Sequence, residues 1–336
     1  MTSRWRERLR RSGEQAEDDE LGPTIREVAS PLTRRMLRPL DPRCRTVQFR
    51  APLTDDEHRR LAAWLVDYPA VTLRAWGSVP DLDFLRFYPQ LLRFSADALY
   101  DYLESFEGLQ HLRPDLHSLT LGSTRRRLSL RPLADFNGLR RLYVEGQTKD
   151  IDVIAGLTSL RSLTLRSITL PDLSLLLPLT RLRALGLKLG GTRDLSLLPS
   201  MGQLEYLELW LVRGLHDVSP VADVTTLRHL FLQALKQVTA LPGLSRLRRL
   251  ETVHLETMKG ITDLAPLLTA PVLRQLALVD MGHLRPTDVA VLARHPSLRC
   301  LVAGLNSEKK NRAVRELVPL SADGDWSRPA VVDGDD

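Results

Sequence analysis

Residues 160–187 read LRSLTLRSITLPDLSLLLPLTRLRALGL, and this stretch decides the fold. It opens and closes on the phrase Leu-x-x-Leu-x-Leu, at 160–165 and again at 182–187. Leu163 and Leu165 stand two apart, and alternate side chains of a strand point the same way, so both enter one face of a short strand. Between the two copies runs a return segment that begins Asp172-Leu173. Aspartate caps a helical turn well, and the leucines behind it lead the chain back to the same core. One such unit cannot bury its own leucines. Stacked units can, with parallel strands lining one side and short helical turns the other.

The phrase recurs outward in both directions. Clear copies are LRRLYV at 139–144, LEYLEL at 204–209, LRHLFL at 227–232, LETVHL at 250–255 and LRQLAL at 273–278. Looser copies are CRTVQF at 44–49, AVTLRA at 70–75, LLRFSA at 91–96, LHSLTL at 116–121 and LRCLVA at 298–303. The return segment repeats as DIDVIAGL from 150, DLSLLPSM from 194, DVSPVADV from 217 and DLAPLLTA from 263. Spacings of about 21 to 26 residues predict roughly twelve units between 44 and 305.

These phrases resemble leucine-rich repeats, and the short return segment that starts Asp-Ile, Asp-Leu or Asp-Val is similar to the SDS22-like subfamily, which also occurs in bacterial internalins. The resemblance is closest over 139–280 and looser over 44–305. It implies a right-handed horseshoe solenoid with a parallel concave sheet, short 3-10 or helical convex segments and helical end caps. It also implies partner binding through the concave face. The family's asparagine, eight residues after the first leucine, is replaced here by Gln147, Ile168, Gly190, Val212, Leu235, Met258 and Met281. The backbone groups of those turns need other partners.

At the ends, the capping-box pair Thr54 and Glu57 predicts a helix over 54–68. Further helices are expected at 97–107, 286–295 and 307–317. The resulting division is a charged, partly disordered arm at 1–40, a solenoid at 41–305, a capping helix at 306–320 and an acidic flexible tail at 321–336.

Composition narrows the function classes. The chain has 336 residues, 43% of them hydrophobic but only 5% aromatic, so its core is aliphatic. No apolar run reaches the ~20 residues of a membrane helix. The N-terminus, MTSRWRERLRRSGEQ, has no apolar stretch of a secretory signal. Two distant cysteines, Cys44 and Cys300, suit a reducing cytoplasm, and the chain reads as a bacterial, monomeric protein. The net charge of +6 is compatible with acidic partners. There is no phosphate loop, GxGxxG, GxSxG, CxxC or HExxH. No catalytic residue, metal site or cofactor is expected.

The strand pattern places alternate residues on the concave face. Tyr206, Trp210, His229, Phe231 and His254 then fall on three consecutive strands about 4.8 Å apart and should form one exposed aromatic patch. Ala184 and Gly186 beside them should leave a shallow hollow. Tyr143, Arg166, Lys188, Glu208 and Glu256 supply a polar surround. An aromatic centre with a charged rim is how protein-binding hot spots are built, so these ten residues are the candidate partner site of a non-catalytic scaffold. A column of arginines one place after the first leucine is the alternative. Arg140, Arg161, Arg183, Arg228, Arg274 and Arg299, with the arginine-rich N-terminal arm, would bind nucleic acid or another polyanion.

Overall fold

The structure, a computed structural model, describes residues 23–327 and 329–333. The chain forms two compact units, Met1–Arg113 and Pro114–Asp336. In the first, β1 (Ile25–Glu27), β2 (Thr46–Phe49), β3 (Thr72–Ala75) and β4 (Arg93–Ala96) pair in parallel, in chain order. β1 lies within the stretch expected to be a terminal arm. It is held because its neighbour β2 offers a free ladder, including Gln48 Nε2 donating to Glu27 at 2.8 Å. The remainder of the arm, 1–22, lies outside the described residues.

Helix α1 (Asp55–Leu65) starts where its capping box predicts. Thr54 Oγ1 accepts from Glu57 N–H, and the Glu57 carboxylate accepts from Thr54 N–H at 2.8 Å. The helix expected at 97–107 does not form. Ala98 adopts a left-handed φ of 55°, which turns the chain out of β4 and is incompatible with entering a helix there. Leu99, Leu103 and Phe106 are buried all the same, and a 3-10 turn follows at Glu107–His111.

The second unit carries nine parallel strands: β5 (Ser118–Leu121), β6 (Arg141–Glu145), β7 (Ser162–Arg166), β8 (Ala184–Lys188), β9 (Tyr206–Trp210), β10 (His229–Gln233), β11 (Thr252–Glu256), β12 (Gln275–Val279) and β13 (Cys300–Ala303). Each of the twelve phrases found in the sequence is a strand. The register is straight, so equivalent leucines stack: Leu163 opposite Leu185, Leu185 opposite Leu207, Leu207 opposite Leu230. All four are 4% exposed or less. The return segments are 3-10 turns, among them Ile151–Gly156, Ser174–Leu176 and Ser219–Asp223. Their aspartates are not the caps expected, since the N-cap positions are Leu173, Leu197 and Val218; instead Asp172, Asp194 and Asp217 accept N–H bonds from Ser174, Ser196 and Ser219, two residues on, at 2.7–2.8 Å. These serine bonds hold the three carboxyls below their ordinary range. This is the leucine-rich-repeat solenoid architecture: parallel strands on one side, 3-10 turns on the other, and leucines between.

The missing asparagines are replaced in two ways. Gln147, 1% exposed, does the work of one: its oxygen accepts from Leu128 N–H at 2.8 Å, and its nitrogen donates to Gly122 O and Thr124 Oγ1. Elsewhere the backbone substitutes. Gly146, Ser167, Leu189, Leu211, Ala234, Thr257 and Asp280 stand one residue before the ladder position, and all have φ between 52° and 73°. This left-handed step aims their N–H groups at the next strand: Ser167 donates to Lys188 O, Leu211 to Gln233 O and Ala234 to Glu256 O, at 2.8–2.9 Å. Side chains serve two further turns, Met281 Sδ accepting from Met258 N–H at 3.3 Å and Thr192 Oγ1 from Leu170 N–H at 3.2 Å, and the apolar residues Ile168, Val212, Leu235, Met258 and Met281 are buried. Gly190 has a different reason, since a Cβ there would lie 2.1 Å from Ile168 O.

Near the C-terminus, α2 (Pro286–Val289) runs into a 3-10 turn, and α3 (Glu308–Leu317) is capped by Ser307. The stretch expected to be a flexible tail is seated at two points. Ser321 bridges in parallel to Cys300, with Leu301 N–H donating to Ser321 O at 2.8 Å. A 3-10 turn at Ala330–Asp333 packs against β7 and β8. Its valines find an apolar recess there, which an acidic composition alone does not reveal.

Candidate partner-binding face

Straight register places the outward residues of the second unit in three rows. One row runs Ser162, Ala184, Tyr206, His229, Thr252; the next Thr164, Gly186, Glu208, Phe231, His254; the third Arg166, Lys188, Trp210, Gln233, Glu256. Three of the five expected aromatic-patch residues join into neighbouring groups. Phe231 and His254 stack with ring centroids 4.3 Å apart at 20°. His254 is braced from behind by Glu256, 3.1 Å from its Nε2, and Gln233 Nε2 donates to the other Glu256 oxygen at 2.7 Å. Trp210 sits one register step from Gln233 and lies under two cations, Arg166 at 5.3 Å and Lys188 at 5.9 Å from its centroid. A desolvated cation over an indole is favourable by ~1–2 kcal/mol and fixes the ring.

The polar surround is a braced network. Arg166 pairs with Glu145 at 3.3 Å, and Tyr143 Oη donates to Glu145 at 3.2 Å. Burial, aided by the Glu145 charge, pushes the Tyr143 phenol up to about 12. Lys188 Nζ lies 2.8 Å from Glu208 Oε2, which also accepts from Tyr206 Oη at 3.2 Å. His229 lies beside Tyr206 in register, and burial holds its imidazole below the ordinary value against the opposing charge of Glu251.

Two residues depart from the exposed patch expected. Tyr206 is 9% and Glu208 8% exposed. Tyr206 is covered because Val331 and Val332 pack onto it and onto Ala184. Glu208 is covered because its carboxylate turns inward to Lys188 and Tyr206. The recess at Ala184 was expected from its small side chain; its occupant was not. Ser162, 3% exposed, completes the contact by donating Oγ to Val332 O at 2.7 Å. The one apolar run in the acidic tail, Ala330-Val331-Val332, was the signal that could have pointed to this.

The arginine column is less cationic than its sequence suggests. Glu205 and Glu251 interrupt it and neutralise its members: Arg183 pairs with Glu205 at 2.6 Å and Arg228 with Glu251 at 3.0 Å. Arg299 folds onto the carbonyls of Pro296 and Leu298. Arg140 and Arg161 are half-buried, and Arg274 is exposed.

In the first unit a cavity of about 260 Å³ opens beside Phe49, His58 and Phe84, with Asp55 and Arg86 paired at 3.1 Å in its lining. His58 is engaged by Tyr88 Oη at 2.9 Å and stacks on Phe84 at 5.0 Å. Burial lowers it to about 4, so it is a neutral core histidine. Among the described residues no group of three or more His, Cys, Asp or Glu is placed to hold a metal. Among the same residues no helix is long and apolar enough to cross a membrane.

Comparison with solved structures agrees with this architecture. An internalin of Listeria monocytogenes superposes with a TM-score of 0.52 at 18% identity, covering 87% of this chain and 92% of that one. A leucine-rich-repeat protein of Leptospira interrogans gives 0.36 at 15% identity over 83% and 89% of the two chains. TLR13, in its complex with ssRNA13, gives 0.48 at 15% identity over 79% of this chain and 43% of that one. Neither a family model nor a curated protein matches the sequence. The parallel strands and 3-10 turns, together with the internalin superposition, give the protein the leucine-rich-repeat fold, and likeness at this identity speaks to the fold alone.

Proposed function

We propose that the protein is a non-catalytic scaffold that binds a partner protein on the open face of its strands. The observation that carries this is the Phe231–His254 stack on β10 and β11 beside the Trp210 ring of β9, over which lie Arg166 and Lys188. Rigid aromatics with charged neighbours give large contact area at small entropic cost, as interface hot spots do. Tyr143 and the braced carboxylates Glu145 and Glu256 fit a polar rim around them. The return segments support kinship with the SDS22-like subfamily, and the cysteine usage supports a cytoplasmic setting.

The test is affinity capture with the wild-type chain and the Trp210→Ala/Phe231→Ala variant, each with and without nuclease. A protein retained by wild type, lost by the variant and indifferent to nuclease is the expected result. Capture unchanged in the variant would sink the proposed face. Capture lost on nuclease treatment but kept by the variant would move the function to the arginine column and a polyanion, with steep salt dependence.

A further inference from the structure

The open face of β7–β9 already holds a peptide, and the peptide is the chain's own. Val331 and Val332 are 8% and 2% exposed, packed on Ala184 and Tyr206, and Ser162 Oγ donates to the Val332 carbonyl. The recess exists because Ala184 stands in register between Ser162 and Tyr206, so a short side chain lies between a hydroxyl and a ring. The segment leading to it is held differently. Residues 321–323 and 325–327 are exposed, half-buried Gly324 standing between them. The chain leaves β13 at Ser321, bonded to Leu301, and returns to β7 at Val332. Those strands are six spacings apart, about 29 Å along the sheet at ~4.8 Å each. The eleven Cα steps from Ser321 to Val332 could span at most roughly 36 Å. The segment is thus a strap that ends in a 3-10 turn, anchored there by two valines and one hydroxyl.

We propose that the recess formed by Ser162, Ala184 and Tyr206 is a binding site for a short peptide segment with two adjacent valine-type side chains, and that residues 329–333 are its resident, displaceable ligand. The strap is tethered, so it competes at an effective concentration of the order of millimolar. A partner presenting the same chemistry in a comparable 3-10 turn must displace it. That gating rests on the function proposed above; the recess and its occupant do not.

The experiment uses the full-length chain. A fluorescent peptide of residues 329–336 is titrated, by anisotropy, against wild type and against the Val331→Asp/Val332→Asp chain, whose strap no longer fits. Saturable binding to the released chain, at least tenfold weaker to wild type, is the expected result. The same peptide with both valines changed to aspartate should not bind. Ser162→Ala in the released chain should weaken binding several-fold. Absence of saturable binding to a released chain that melts as wild type does, or equal binding to both chains, would overturn the proposal. A second readout does not depend on peptide affinity. Val332→Cys in a Cys300→Ser background should react with a thiol reagent at least tenfold more slowly than Ser327→Cys in that background. Adding Ala184→Trp should remove the difference; equal rates without that substitution would also overturn the proposal. Introducing Trp210→Ala/Phe231→Ala into the released chain separates the two ideas. Peptide binding that survives there, alongside unchanged partner capture, would remove the scaffold face and leave the strap.

Discussion

The most informative residues are those that take a left-handed backbone without being glycine. Ser167, Leu189, Leu211, Ala234 and Thr257 all do so at one repeat position, and each is held there by an N–H bond to the next strand. The left-handed region costs an L-residue about 1–2 kcal/mol, and glycine escapes it at an entropic cost of ~0.5–1 kcal/mol. Ala234→Gly should therefore stabilise the protein by up to ~1 kcal/mol, read as a higher denaturation midpoint; a lower midpoint would refute the account of these turns. His58 gives a prediction in pH. Its folded value is lowered to about 4 by burial, against an ordinary ~6.5. The unfolded chain then binds the proton first, so stability contributed by His58 is complete above pH ~6.5 and falls as pH drops toward 4. His58→Gln should flatten the stability curve within that window, and an unaltered pH profile would show that the histidine binds its proton as readily folded as unfolded.

At the scale of the element, one side chain ties the start of α1 to the segment at 30–32. The Glu57 carboxylate accepts from Thr54 N–H, from Leu32 N–H at 2.7 Å and from Ser30 Oγ at 3.0 Å. Burial alone would raise it, yet these bonds hold it at about 2. Glu57→Ala removes the helix cap and leaves donors unpaired, each effect being ~1–2 kcal/mol. The expected outcome is a loss of ~2–3 kcal/mol in the first unit, measured by chemical denaturation. The cap was legible because it is local: Thr54 and Glu57 are three residues apart. The link to Ser30 and Leu32 was not, since nothing in either segment announces the other. The false helix at 97–107 shows the reverse error, in which apolar spacing imitated a helix although a left-handed Ala98 sends those same side chains inward from a turn.

Across the whole molecule, repeats stabilise one another through neighbours, so damage stays local. Leu207 is fully buried between Leu185 and Leu230. Leu207→Ala should cost ~2–5 kcal/mol. Its loss of amide protection should centre on β8–β10 and fade by β12 and β13; uniform loss over all nine strands would mean the unit opens as one body.

The strands, their register and the rows of side chains they present were written into the sequence, because a two-residue period and a near-constant spacing fix which side chains face inward and which lie opposite one another. Tertiary structure alone decided what the outward residues do. Trp210 is pinned by cations from two neighbouring repeats, and Arg183 and Arg228 are neutralised by carboxylates one repeat away. Tyr206 is covered by valines far along the chain. The physical reason is separation: periodicity reports the environment a residue shares with its equivalents in every repeat, whereas a contact made once, across 170 residues between Ser162 and Val332, leaves no periodic trace.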